Sequence, residues 1–203
     1  MKIILFGPPG TGKGTQAERL EREYNLKQIS TGNIFRDEYK RKTKIGIEAY
    51  NYWGSGKLVP DDITIRILKE NIPNDNYLLD GFPRTVSQAK ALEKIIEVDF
   101  IININSSREN IVKRLDARRI CSTCNSTYGI GKKPKKEGYC NLDNVKLIQR
   151  DDDKSPKVRE RLIEYEAKTK PILNYYGKRV ITINGDRSPE LIYKNILKIL
   201  NLK

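Results

Sequence analysis

Four short apolar blocks, at residues 3–6, 77–79, 100–104 and 180–183, are separated by helix-length amphipathic stretches. Parallel strands are joined by crossover helices and covered on both faces, so they read as continuous apolar runs rather than alternating ones. The spacing therefore predicts an α/β fold with a mainly parallel sheet. Helices are expected over residues 13–24, 31–42, 61–71, 86–97, 108–119, 156–175 and 188–201. Asp61 stands as a cap ahead of an isoleucine-rich run, and Ser188-Pro189-Glu190 reads as a helix start with proline at the first helical position. Two stretches break the alternation. Residues 30–59 carry helical pattern without a strand, while residues 120–154 hold all three cysteines, the turn formers Gly129, Gly131, Pro134 and Gly138, and a basic cluster over 132–136. Both read as insertions on a core of residues 1–29, 60–119 and 155–203.

Charge and composition narrow the chemistry. The 203 residues are enough for one or two domains with a substantial core. The 39 Lys and Arg outnumber the 26 Asp and Glu, leaving +13, so an anionic partner is expected. Histidine is absent, which removes imidazole as base or metal ligand. Three cysteines are too few, and odd in number, for a disulfide framework. No apolar run is long enough to span a bilayer, and Met1-Lys2 leads directly into the first strand-like block. A cytoplasmic protein without membrane attachment is the expectation.

After the first apolar block comes GPPGTGKGT, residues 7–15, which fits G-x-x-x-x-G-K. Glycines let successive N–H groups turn toward phosphate oxygens, the lysine adds a cation, and the following helix N-terminus favours negative charge. Position 14 is Gly rather than the usual hydroxyl residue, and a hydroxyl arrives only at Thr15. A Gly-Pro turn with no ligand is the other reading, but the strand before and the amphipathic helix after supply the context that phosphate binding needs. The block at 77–79 ends in Asp80, where a carboxylate beside such a loop would hold Mg²⁺ directly or through water.

The variant loop, together with ISTGNIFR at 29–36, GKLVPD at 56–61, LLDGFPRT at 78–85, RRICSTC at 118–124 and QRDDD at 149–153, resembles the adenylate kinase family of nucleoside monophosphate kinases. The blocks keep the family's order and spacing over essentially the whole chain. The resemblance implies a P-loop NTPase-type parallel five-stranded sheet, a small helical monophosphate-binding domain at 30–59 and a lid at 120–154. It implies transfer of the terminal phosphoryl group of Mg-ATP to AMP, giving two ADP. ATP phosphates would lie over Gly10, Thr11, Gly12, Lys13, Gly14 and Thr15, with Arg114, Arg118, Thr127, Tyr128 and the backbone of Arg187 on the same side. AMP would meet Thr31, Arg36, Lys57, Leu58, Val59, Gly81, Phe82, Pro83 and Arg84, with Gln88 hydrogen-bonding the adenine. Lys13, Arg84, Arg118, Arg150 and Arg161 would be the catalytic cations, the last two reaching the phosphates as the lid closes.

Phosphoryl transfer needs charge cancellation on equatorial and bridging oxygens, which Lys, Arg and Mg²⁺ supply. The nucleophile is an anionic phosphate oxygen, so no general base is required and the lack of histidine is compatible with activity. Removal of Arg84 or Arg118 is expected to abolish most turnover and leave the fold intact. One departure is Asn33, where the family commonly has Asp. It removes a charge, and no catalytic role is assigned to it.

Cys121-x2-Cys124 and Cys140-x2-Asp143 have the two-knuckle spacing of a structural zinc site with the last thiolate replaced by carboxylate. Three free thiols with Asp143 as an ordinary turn residue is the competing reading. A lid with three Cys and one Asp also occurs among zinc-binding adenylate kinases, which favours the metal. Two further functions stay open on sequence: a kinase for GMP, CMP or UMP, and a basic zinc-ribbon protein that binds nucleic acid. The motif arginines and the lack of aromatic stacking residues in the basic stretches argue against nucleic acid. A monomer is expected, since one chain supplies the whole site.

Overall fold

The computed structural model describes residues 1–202. Five parallel strands form one sheet in the order β2-β3-β1-β4-β7. These are β1 (Lys2–Phe6), β2 (Lys27–Ser30), β3 (Tyr77–Asp80), β4 (Phe100–Asn105) and β7 (Val180–Asn184). Alternation along β1 sends Ile3 and Leu5 to one face and Ile4 and Phe6 to the other, and each pair joins a separate core. The first face packs Ala17 and Leu20 of α1 (Lys13–Tyr24) and Ile192, Tyr193 and Ile196 of α9 (Pro189–Ile199). The second packs Leu68 of α4 (Asp61–Asn71), Leu92 of α5 (Val86–Glu93) and Ile172 and Tyr176 of α8 (Pro171–Tyr176). Both faces are covered, as the apolar strand blocks require.

Strand β2 is the element that sequence pattern misses. Its residues Lys27, Gln28, Ile29 and Ser30 include one buried apolar side chain, because an edge strand has a neighbour on one side only. The expected helix over 156–175 is also not continuous. It becomes α7 (Ser155–Glu164), a π-helical turn at Tyr165–Thr169 and α8. Pro171 cannot donate an N–H and its ring crowds the preceding turn, so the backbone widens and Lys170 N bonds Tyr165 O at 2.8 Å. Asp61 is not a cap. Pro60 holds that position, and the Asp61 carboxylate accepts from Thr85 Oγ1 at 2.8 Å and Gln88 Nε2 at 2.7 Å. Ser188 does cap α9, accepting from Leu191 N at 3.3 Å.

Residues 31–53 form two helices, α2 (Thr31–Lys40) and α3 (Lys44–Trp53), rather than one. They meet where Gly46 lets the backbones touch; a Cβ there would lie 2.3 Å from the Glu38 carbonyl carbon. Phe35, Ala49, Val59, Ile63 and Ile67 make a separate small core beneath them. Helix α6 (Arg108–Ala117) leads into the short antiparallel pair β5 (Arg119–Ile120) and β6 (Thr127–Tyr128). There Cys121, Tyr128, Cys140 and Leu147 cluster. Among the described residues no helix is long and apolar enough to cross a membrane.

Candidate active site

A cavity of about 500 Å³ opens beyond the C-terminal ends of β1 and β3, between the core helices, α2 and the cysteine-bearing segment. Its floor is the loop between β1 and α1. Gly10 and Gly12 adopt φ of 84° and 96°, and a Cβ on Gly10 would lie 2.9 Å from Leu115 Cγ, so α6 packs directly on the loop. Lys13 Nζ donates to Gly7 O and Pro8 O, each at 2.8 Å, and Thr11 Oγ1 donates to Pro8 O at 3.1 Å. Arg114 reaches the same loop through Thr11 O at 3.4 Å. Asp80 stands opposite, held by Gln28 Nε2 at 2.9 Å, and a Cβ on Gly14 would come within 3.6 Å of its Oδ2.

Lys13, Arg36, Arg84, Arg114, Arg118, Arg150 and Arg161 all line this one space. Burial brings the Lys13 ammonium down to about 8, with Asp80 opposing and Arg84, Arg161 and Arg118 reinforcing the shift. Burial also brings Arg36 to about 10, Asp152 opposing and Arg118, Arg161 and Arg84 adding to it. Arg84 is lowered by burial and then by Arg161. Arg150 is lowered by burial and then by Arg36 and Arg118. These cations are held together with too few anions to match them, an arrangement suited to a ligand with several negative charges.

The acids that hold the group together come from the QRDDD block. Arg118 grips the fully buried Asp153 carboxylate with both Nε, at 2.7 Å, and Nη2. Arg161 Nη1 donates to Asp153 Oδ1 at 2.8 Å and pairs with Asp152 at 3.0 Å. Burial by itself would raise Asp152, but Arg161, Arg36, Arg118 and Arg150 overrule it and hold the carboxyl at about 2. Arg150 Nε and Asp152 Oδ1 are buried without a hydrogen-bond partner. Sequence reasoning assigned these aspartates no role; an acid next to an arginine in sequence gave no sign that it would turn to Arg118, 35 residues before Asp153, and to Arg161 on the following helix.

On the α2 side, Arg36 Nη2 donates to Asn33 Oδ1 at 2.6 Å. A neutral amide thus orients the guanidinium without cancelling its charge, which accounts for the asparagine in physical terms. Thr31 Oγ1 donates to Gly81 O at 3.2 Å, and Arg84 Nε reaches the same carbonyl at 2.7 Å. Gly81 has φ of 76°, and a Cβ there would meet Arg84 Nη2 at 2.7 Å, so only glycine allows Arg84 to fold back this way. Thr31, Lys57, Leu58, Val59, Gly81, Pro83 and Gln88 line the cavity, as do Thr127, Tyr128 and Arg187 on the other side. Phe82 does not: its side chain is buried in the core against the second sheet face. The Gln88 amide is already occupied, accepting from Arg84 N at 2.7 Å and donating to Asp61. The Tyr128 hydroxyl faces the cysteines, 3.4 Å from Cys140 Sγ. Trp53, Gln28, Glu18 and Thr169 also line the cavity and had carried no motif.

The ligand atoms of Cys121, Cys124, Cys140 and Asp143 lie within 4.8 Å of one another. Cys124 Sγ and Cys140 Sγ are 3.7 Å apart, Cys121 Sγ is 3.0 Å from Asp143 Oδ2, and Cys140 Sγ is 3.5 Å from the same oxygen. Tetrahedral zinc with Zn–S bonds of about 2.3 Å places sulfurs roughly 3.8 Å apart. Backbone N–H groups of Thr123, Cys124 and Leu142 point at the sulfurs of Cys121 and Cys140, at 3.3, 3.5 and 3.4 Å. Such donors stabilise thiolate, so the residues present fit a closed structural metal site.

Comparison with known proteins agrees with this geometry. A family model described as adenylate kinase matches residues 5–181. The chain is 42% identical to an adenylate kinase of Bacillus velezensis, 44% identical to one of Clostridium botulinum and 41% identical to one of Bacillus subtilis. Each alignment covers 98% of this chain and 98% of the relative.

Proposed function

The chain belongs to the adenylate kinase family, whose members convert ATP and AMP to two ADP, and from this premise we propose how its own residues divide the work. The observation that carries the reading is the convergence of Lys13, Arg36, Arg84, Arg118 and Arg161 on one cavity above the glycine loop. ATP lies with its phosphates on the backbone N–H groups of residues 10–15, Lys13 and Arg114, beside Thr127, Tyr128 and the backbone of Arg187. AMP lies on the α2 side, its phosphate between Arg36 and Arg84 and its base against Thr31, Val59 and the backbone of residues 57–58. Gln88 binds adenine only if its amide leaves Asp61 or shares it.

An AMP phosphate oxygen attacks the γ-phosphorus in line, the bond to the β–γ bridging oxygen breaks, and ADP leaves on each side. Asp80, beside the glycine loop, would hold Mg²⁺ directly or through water, and the ion when bound would neutralise charge on the phosphates. Lys13 follows the transferring group. Arg84, Arg118 and Arg161 exchange their present partners, in part, for the equatorial oxygens, where charge accumulates in the transition state, and Arg150, whose buried Nε has no hydrogen-bond partner among the described residues, joins them. Residues 30–59 and 120–154 act as the monophosphate-binding and lid domains, and the protein works as a cytoplasmic monomer.

The test of substrate choice is a panel: purified protein with Mg-ATP and AMP, GMP, CMP or UMP, following diphosphate formation. AMP should be converted selectively, and equal or greater use of another monophosphate overturns the assignment. Zinc bound by Cys121, Cys124, Cys140 and Asp143 would order a segment whose own core is four buried side chains. Protein prepared without chelator should carry close to one zinc per chain, and chelation should lower the melting midpoint. Zinc well below that level, or melting insensitive to chelation, refutes the metal site.

A further inference from the structure

We propose that Asp37 and Lys40 on α2, together with the turn at residues 122–125, form a latch between the two insertions, making Lys40 and Asn125 positioning residues for AMP. The proposal rests on the assignment of AMP to the α2 side of the cavity.

Lys40 Nζ donates to Ser122 O at 2.9 Å and to Asn125 Oδ1 at 3.2 Å. Asn125 Nδ2 in turn donates to Asp37 Oδ1 at 3.2 Å, and Lys40 and Asp37 pair at 3.5 Å. One amide therefore serves as acceptor and donor across a contact between segments more than eighty residues apart. Both ends are anchored. Asn125 takes φ of 60°, a left-handed conformation that asparagine tolerates, and its N–H bonds Cys121 O at 3.1 Å. On the other end, helical spacing puts Asp37 one turn beyond Asn33 and Lys40 one turn beyond Arg36, so the latch grips the face of α2 that carries the Arg36–Asn33 pair.

Exposed polar contacts of this kind add little to global folding. An equilibrium between separated and joined insertions is different, because a small differential contact shifts it directly. When the competent state is only partly populated, apparent affinity falls by that fraction. The cysteine-bearing segment also meets the core at a second place, where Lys132 Nζ pairs with Glu18 at 2.9 Å and a Cβ on Gly131 would touch Pro189 at 2.8 Å. That contact does not involve α2. Loss of the latch should consequently weaken the AMP side and spare the ATP side.

The experiment uses Lys40→Met, Asn125→Ala and the double variant. At saturating Mg-ATP, KM for AMP should rise roughly three- to tenfold in each, with kcat not reduced and KM for ATP within about twofold. AMP binding measured by calorimetry without ATP, where the insertions need not meet, should stay within about twofold. The double variant should be no worse than the worse single one. An unchanged KM for AMP, an equal loss in the ATP-free titration, or single effects that multiply in the double variant would each overturn the latch. Arg36→Ala serves as the reference: it should weaken AMP in both assays. Failure to do so in either assay refutes the assignment of AMP to α2, a different result from any that refutes the latch.

Discussion

Arg84→Ala should lower kcat about a thousandfold or more while leaving the melting midpoint close to that of the parent protein. The two halves of this expectation come from different observations. The Arg84 guanidinium lies in the cavity with Lys13, Arg118 and Arg161, where the proposed reading puts the charge that develops during transfer. Its side-chain Nε bonds a backbone carbonyl, Gly81 O, and among the described residues no carboxylate lies at ion-pair distance. The charge is already disfavoured by burial and by Arg161, so truncation removes repulsion as well as one hydrogen bond. Arg118→Ala should behave differently, contrary to the expectation from sequence that both variants keep the fold intact. It leaves Asp153 buried with Arg161 as its remaining partner, and breaking a buried pair from one side costs about 3–5 kcal/mol. Turnover by ADP formation and thermal melting of the two variants side by side check both statements. Arg84→Ala within tenfold of normal kcat, or Arg118→Ala melting unchanged, counts against the argument.

This contrast marks where sequence stops being informative. Helices α1 and α4 and the three inner strands could be read because apolar spacing alone determines which face is buried there. Strand β2 could not, since KQIS offers one apolar residue in four, whereas the other edge strand, β7, carries three in VITIN. Helix α5 ends at Glu93 rather than 97, where Ile95 N and Ile96 N both turn back to Leu92 O. In the candidate site, the glycine loop and Lys13 were legible because phosphate chemistry requires those residue types at that spacing, whereas the arginines came from the family resemblance. Which neighbours these side chains engage was not legible. Gln88 is engaged with Asp61, Tyr128 turns its hydroxyl to Cys140, and Phe82 is core, although the resemblance implies a nucleotide contact for each. Motifs specify which residues are near a ligand, whereas the partners those residues take within the protein depend on contacts distant in sequence.

Asp153→Asn should then show what the aspartates of that region do. The substitution preserves shape but removes a buried charge shared by Arg118 and Arg161. Arg118, Arg161, Arg36 and Arg150 would face one another with Asp152 as the nearby anion, and a loss of about 3–5 kcal/mol is expected. For a chain of this size that corresponds to a fall of roughly 10 °C in the melting midpoint. Substrate phosphates are anions delivered to the same arginines, so they should restore more stability to the variant than to the parent. The measurement is the rise in midpoint on adding saturating ADP: it should be larger for Asp153→Asn, narrowing the gap between the two proteins. A gap that ADP leaves unchanged would mean that Asp153 serves only the fold. A narrowed gap would mean that the carboxylate keeps Arg118 and Arg161 assembled until the nucleotide's own charges take over.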